Sequence, residues 1–213
     1  MRFLVALFAI LLLGGDLATE VARAAPTGDG IGVAGRRLHL RIRRGFVERM
    51  SYISGDARLP FPELGSADDP RTAGVDVEIF TGGGQSSSFR IRPGEYEGMI
   101  WKTRSAKVDA YKYKNRLAPA GHSFVKKLQV KEGQLLRIAS RRHNIDLRTP
   151  QTSVIVRVTM GEQQSCTQFI EPALDGIIPG RDADSTSFFS RVGIAPPDCR
   201  DETIESLLGV TFD

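Results

Sequence analysis

From residue 36 onward, apolar and polar residues alternate along much of the chain. Leu38, Leu40 and Ile42 are separated by arginine or histidine, which is the period-two pattern of a β-strand with one buried face. Further runs that alternate, or that are rich in β-branched and aromatic residues, predict more strands of this kind. They cover residues 46–53, 75–80, 87–92, 97–102, 108–113, 124–130, 134–139, 153–160 and 165–170.

Short turn sequences separate nearly all of these runs. Gly82-Gly83-Gly84, Pro93-Gly94 and Lys131-Glu132-Gly133 each lie between two predicted strands. Strands joined mainly by short loops are typical of an antiparallel sandwich or barrel. We therefore predict a single all-β domain over residues 36–199, an antiparallel β-sandwich of about seven to ten strands.

Two segments depart from simple alternation. The run 153–160 has Ile155 on its otherwise polar face, which predicts a central strand covered on both sides. Residues 200–208 have helical spacing, with Ile204, Leu207 and Leu208 on one side and acidic residues near the start. This spacing predicts that residues 200–213 form a short C-terminal helix or a frayed tail.

The first residues have the pattern of a secretory signal peptide. Arg2 supplies a positive charge, residues 3–13 are apolar, and Ala22-Arg23-Ala24 places small residues where a signal peptidase cleaves. The apolar run is shorter than the roughly 20 residues that a membrane-spanning helix needs. We predict a signal peptide over residues 1–24, a flexible glycine-rich linker over residues 25–35, and a secreted or periplasmic protein.

The two cysteines are Cys166, in a predicted strand, and Cys199, in a proline-rich tail. An even number of cysteines in an exported chain favours a disulfide, because the compartment is oxidising. A reactive thiol is the alternative, but neither cysteine has a recognisable catalytic neighbourhood. The sequence therefore predicts a Cys166–Cys199 disulfide.

Composition and motifs favour a non-catalytic protein. The 213 residues are 41% hydrophobic and 25% charged, which is typical of a globular domain and excludes a disordered chain. Gly121-His122-Ser123-Phe124-Val125 is similar to the nucleophile elbow of hydrolases but lacks its second glycine. We expect no enzyme and no cofactor, with a hydrolase that uses His122 and Ser123 as an alternative.

No group of residues in the sequence has the spacing of a metal site. His39, His122 and His143 are far apart and unpatterned. The pairs Asp68-Asp69 and Asp182-Ala183-Asp184 would supply too few oxygens for calcium, so turns capped by their own aspartates are the better interpretation. We predict no metal.

A basic and aromatic stretch is the best candidate for ligand binding. Side chains of both kinds alternate here and could stack on sugars and hold anionic groups. The predicted ligand-binding residues are Trp101, Lys102, Tyr111, Lys112, Tyr113 and Lys114. The alternative is that Tyr111 and Tyr113 point into the core while the lysines are the solvated face of a strand.

A second basic row runs over residues 36–44, and the net charge is +4. In an exported protein such charge favours a glycan or another polyanionic cell-surface component as partner, and we expect no nucleic acid. The first hypothesis for function is thus an exported binding or surface-associated module. The alternatives are a structural or adhesion-like accessory protein without a ligand site, and a secreted hydrolase.

Several segments, in this order, resemble a recurrent uncharacterised β-rich domain of secreted bacterial proteins, found often in delta-proteobacteria. The matching segments are residues 38–44, the loop 65–70 with the following strand 75–80, Tyr111-Lys112-Tyr113-Lys114-Asn115, residues 130–138, residues 154–160 leading to Cys166, and Pro196-Pro197-Asp198-Cys199. The resemblance implies a disulfide between Cys166 and Cys199. Residues 169–172 depart from the family, whose members often carry two glycines there.

Overall fold

The computed structural model describes residues 29–44, 46–94, 99–103, 110–115, 124–143, 152–170 and 185–212. The predicted signal peptide, the elbow residues His122 and Ser123, and Asp182 and Asp184 lie outside these residues. The predictions made for them therefore stay predictions.

Strands form most of the described chain, and two short helices accompany them. The strands are β1 Ile31–Gly32, β2 Gly35–Arg43, β3 Phe46–Ser54, β4 Val75–Thr81, β5 Ser86–Ile91, β6 Met99–Thr103, β7 Ala110–Asn115, β8 Phe124–Lys131, β9 Leu135–Arg141, β10 Ser153–Met160, β11 Gln163–Ile170, β12 Ser185–Ser190 and β13 Gly193–Ile194. The helices are α1 Pro70–Ala73 and α2 Asp201–Leu208.

The strands of the described residues belong to one 13-stranded sheet that curls into a half-barrel. The order across the sheet is β5-β4-β10-β11-β13-β2-β3-β9-β8-β7-β6, with β12 also paired to β2 and β1 paired to β11. Apart from the parallel β1–β11 pair, the pairs are antiparallel. The predicted all-β antiparallel fold is thus confirmed.

The main core fills the inner face of the curled sheet. It is one cluster of buried side chains that includes Ile79 of β4, Leu40 of β2 and Leu128 of β8, which lie far apart in the strand order. The Nε1 of Trp101 on β6 donates a hydrogen bond to the carbonyl oxygen of Arg92, just after β5, at 3.4 Å. The two outermost strands of the sheet therefore approach each other.

Helix α2 covers the outer face of the sheet at β10. Ile155 is fully buried and packs in a second cluster with Phe80, Ile204 and the two cysteines. The guanidinium of Arg157 holds the helix in place, since it bonds to Glu78 on β4 at 2.7 Å and to Asp201 at the start of the helix. A central strand covered on both sides, and a short C-terminal helix, are both as predicted.

Ile31–Gly32 pairs with β11 as β1 and Gly35 begins β2, which corrects the assignment of this segment to a flexible linker. Val33 is fully buried and its amide donates to the carbonyl oxygen of Cys166 at 2.8 Å. The glycines there allow close packing: a Cβ on Gly32 would lie 1.6 Å from the carbonyl oxygen of Pro196. A glycine-rich segment was mistaken for a flexible one because glycine also serves where two backbones touch.

The predicted disulfide joins Cys166 of β11 to Cys199, two residues before α2. Its Cα atoms are 5.6 Å apart, and both residues are fully buried. It ties the tail that carries α2 to the middle of the sheet.

Candidate anion-binding surface

The six residues predicted to bind a ligand lie on β6 and β7, but they divide between the two faces of the sheet. Lys102, Lys112 and Lys114 are exposed. Trp101 is 6% exposed, Tyr111 0% and Tyr113 3%. Because successive side chains of a strand point to opposite faces, the aromatic and basic residues cannot share one surface.

The aromatic residues are part of the core. The rings of Trp101 and Tyr113 lie 5.1 Å apart, centroid to centroid, and the hydroxyl of Tyr111 donates to the carbonyl oxygen of Pro62 at 2.9 Å. Burial raises the pKa of Tyr111 to about 12. Such rings present no face to a ligand, so the prediction that aromatic side chains bind at this surface is corrected, in favour of the alternative stated above.

The lysines are one edge of a larger basic surface on the outer side of the sheet. Across β6, β7, β8, β9, β3 and β2, outward positions carry cationic side chains in every strand. We call this surface the basic face; it comprises Arg37, Arg41, Arg43, Arg49, Lys102, Lys112, Lys114, Lys127, Lys131, Arg137 and Arg141. The predicted second basic row, on β2, is thus part of the same surface as the lysines.

Like charges meet directly across the strands. Arg41, Arg49 and Arg141 are direct partners in three neighbouring strands, and Lys102 lies opposite Lys112. Directly opposed like charges destabilise a sheet. Within the described residues, the acidic partner recorded on this face is Glu48, whose Oε2 lies 3.4 Å from the Nε of Arg41.

His39 shows the electrostatic effect of this crowding. It lies on β2 between Arg37 and Arg41, with its ring edge-on to Phe189 of β12 at 5.6 Å. Burial lowers the pKa of His39, and the charges of Arg37 and Arg41 lower it further. At neutral pH the imidazole is therefore neutral and acts as a polar group within the basic face.

The other half of the outer surface has a different character. There α2 covers the sheet, and Glu78 and Asp201 are paired with Arg157, while Asp76 lies 3.7 Å from Arg90. Acidic residues thus pair with the cations around β4 and β10, whereas among the described residues of the basic face the acidic partner is Glu48 beside Arg41. The net charge of +4 for the chain understates this local excess.

An open cleft of about 340 Å³ lies within the basic face. Its walls come from β2, β3, β8 and β9, and they combine basic side chains with small ones. The lining residues are His39, Arg41, Arg49, Met50, Ser51, Lys126, Ala139, Ser140 and Arg141.

A buried serine and histidine bear on the hydrolase alternative. The Oγ of Ser140 lies 2.5 Å from the Nε2 of His143, but both residues are only 3% exposed. Burial lowers the pKa of His143 to about 4, so the imidazole is neutral at neutral pH. Because both side chains are nearly completely buried, their hydrogen bond satisfies two buried polar groups.

The acidic loop before β4 has a structural role. Asp69 caps α1 by accepting from the amide of Arg71 at 2.9 Å, and Asp68 accepts from the amide of Glu162 at 2.6 Å. The Asp69 bond agrees with the interpretation of the loop as a capped turn, whereas Asp68 joins the loop to the turn between β10 and β11. In the part of the chain that the structure describes, no cluster of three or more His, Cys, Asp or Glu side chains is placed to hold a metal ion.

Comparison with known proteins adds no relative: no protein-family model, curated protein or solved structure matches this chain. Among the described helices, none has the length and apolar character needed to cross a membrane.

Sequence reasoning missed Arg49, Lys127, Lys131, Arg137 and Arg141 as members of the surface. The signal was present, since each stands at an outward position of an alternating strand. What the sequence lacks is the order of the strands, which brings β9 next to β3.

Proposed function

We propose that the protein is an exported, non-catalytic binding protein whose basic face holds an anionic glycan or another polyanionic component of a cell surface. The observation that carries this proposal is that each of six neighbouring strands places at least one cationic side chain on the outer side of the sheet, where Glu48 is the acidic partner among the described residues. A curved sheet with one sign of charge attracts polyanions and raises their local concentration.

Export is supported by two independent features. Residues 1–24 have the three parts of a secretory signal peptide. The Cys166–Cys199 disulfide is of the kind that persists in an oxidising compartment. Glycans and lipopolysaccharide are the abundant polyanions that an exported bacterial protein meets, and nucleic acid is not.

A structural or adhesion-like accessory protein is the second candidate. The burial of Trp101, Tyr111 and Tyr113 favours it, because many glycan-binding surfaces use exposed aromatic rings and this face has none among those three. In that case the lysines and arginines would keep the sheet soluble and prevent strands from pairing between molecules.

A charge-neutralising variant separates the two candidates. In Lys112→Gln/Lys114→Gln/Lys127→Gln we expect binding to a heparin oligosaccharide, and to lipopolysaccharide, to weaken about tenfold, because each exposed ionic contact contributes on the order of 0.5 kcal/mol. The dissociation constant is measured by calorimetry at 50 and 200 mM NaCl. Wild-type affinity should fall steeply with salt, because exposed charges are screened.

The matched control is Arg58→Gln/Arg90→Gln/Arg200→Gln, which removes the same charge from exposed positions outside the basic face. It should bind like the wild-type protein. Equal losses in both variants would show that net charge alone decides binding. No binding by the wild-type protein to either polyanion would reject the proposal and leave the accessory role.

A further inference from the structure

The basic face has a depression where small residues occupy the middle of a cross-strand row. His39, Ser51, Ala139 and Lys127 are aligned in this order across β2, β3, β9 and β8. Ser51 and Ala139 are short, whereas the residues at the two ends are long. The neighbouring row of Arg41, Arg49 and Arg141 forms one wall, so the cleft is bordered by cations and floored by small side chains.

Two β-bulges flank this depression. In β3, Glu48 is the extra residue between the pairs Arg41–Arg49 and Ile42–Val47. In β8, Lys126 is the extra residue between Val125–Ser140 and Lys127–Ala139, and it lines the cleft. Bulges redirect side chains and are concentrated near functional sites. Here they add Lys126 to the cleft and bring Glu48 near Arg41.

The three arginines repel one another in the unliganded protein, and a bound anion would relieve this repulsion. Three guanidinium groups in direct cross-strand register repel one another, and Glu48 contacts one of them, Arg41, at 3.4 Å. A guanidinium matches the geometry of a phosphate or sulfate group and can bind it with two parallel hydrogen bonds. Ser51 lies in the neighbouring row, and its hydroxyl accepts a 3.4 Å hydrogen bond from Nη2 of Arg37.

The size of the cleft selects among anions. Its volume, about 340 Å³, is at the lower end of the range of about 300–1,000 Å³ for small-molecule sites. The cleft therefore has room for a small organic ligand that carries the anionic group, and not only for a bare phosphate or sulfate.

We propose that this cleft binds a single phosphate- or sulfate-bearing sugar unit, with Arg41, Arg49 and Arg141 holding the ester group. The inference rests on the proposed function, because it names the part of the anionic glycan that is recognised. The remaining cations of the basic face contact the rest of the polysaccharide, and the cleft recognises one sugar unit of it.

The test measures binding of small probes to the mature chain in calorimetry at constant ionic strength. Glucose 6-phosphate and glucose 6-sulfate should bind, glucose should not, and inorganic phosphate should bind at least tenfold more weakly than the esters. In Arg49→Gln/Arg141→Gln, the affinity for the two esters should fall about tenfold to hundredfold. The thermal midpoint of the unliganded variant should not fall, since two opposed cations have been removed.

The control on the same surface is Lys112→Gln/Lys114→Gln, which removes the same charge outside the cleft and should leave glucose 6-phosphate binding within twofold. Equal losses in the two variants would overturn the proposal. Equal affinity for inorganic phosphate and glucose 6-phosphate would overturn the claim that the cleft recognises the sugar as well as the anionic group.

The two proposals can fail separately. If the wild-type protein binds heparin but no sugar ester, this inference is wrong and the proposed function stands. If it binds the sugar esters through the arginines but no long polyanion, the proposed function is wrong and the cleft remains a site.

Discussion

Removal of the Cys166–Cys199 disulfide is expected to lower the free energy of unfolding by about 4 kcal/mol. The two cysteines are 33 residues apart, and in the chain-entropy model closing a loop of that length restricts the unfolded chain by this amount. Because both sulfurs lie in a buried cluster, their replacement by alanine also removes packing contacts and adds to this loss.

The measurement is urea unfolding of the double variant Cys166→Ala/Cys199→Ala, which avoids leaving a free thiol. The wild-type protein with its disulfide intact is the reference, and the slope of the transition reports the change in the unfolded state. Heparin binding at 10 °C should be retained, since the basic face lies on other strands. A loss of stability below about 1 kcal/mol would contradict the account of the disulfide as the main constraint on the tail.

Substitution of Gly32 by alanine is expected to destabilise the protein by about 3 kcal/mol. A Cβ at this position would lie 1.6 Å from the carbonyl oxygen of Pro196, and a backbone atom cannot rotate away as a side chain can. Either β1 or the segment before Cys199 must move. That movement would disturb the hydrogen bond from the amide of Val33 to the carbonyl of Cys166.

Gly82→Ala is the matched control for this effect. Its Cβ would approach no atom closer than 3.3 Å, and its backbone is not left-handed, so a change within about 0.5 kcal/mol is expected. Thermal and urea unfolding of the two variants compare the sites directly. If Gly32→Ala were as stable as Gly82→Ala, residues 31–35 would be the flexible linker that their composition suggests.

The alternation of apolar and polar residues predicted most of the sheet, because a strand with one buried face has apolar residues at every second position. Ile155, the apolar residue on the otherwise polar face of β10, indicated that this strand is covered on both sides, and the structure shows that α2 provides the cover. Strands β1, β12 and β13 were missed. β1 and β13 are two residues long and contain glycine, and β12 is half serine, so none of them shows the alternation of a longer strand.

The site could be predicted only in part. Its lysines on β7 were recognised, but the aromatic residues beside them were assigned to the same surface although they alternate with the lysines. The period of two places such neighbours on opposite faces, so the alternation itself already favoured the other interpretation. The row of arginines could not be predicted from alternation alone. Arg49 and Arg141 are far apart in the chain, and only the pairing of β3 with β9 joins them.

The most direct test of the central claim, that the basic face is the binding surface, is arginine footprinting with bound heparin oligosaccharide. Phenylglyoxal modification is read by mass spectrometry with and without the ligand. Arg49 and Arg141 should be protected, whereas Arg58, which is exposed and lies outside the basic face, should react equally in both states. Protection of Arg58 and Arg90 with unchanged reactivity at Arg49 and Arg141 would contradict the account.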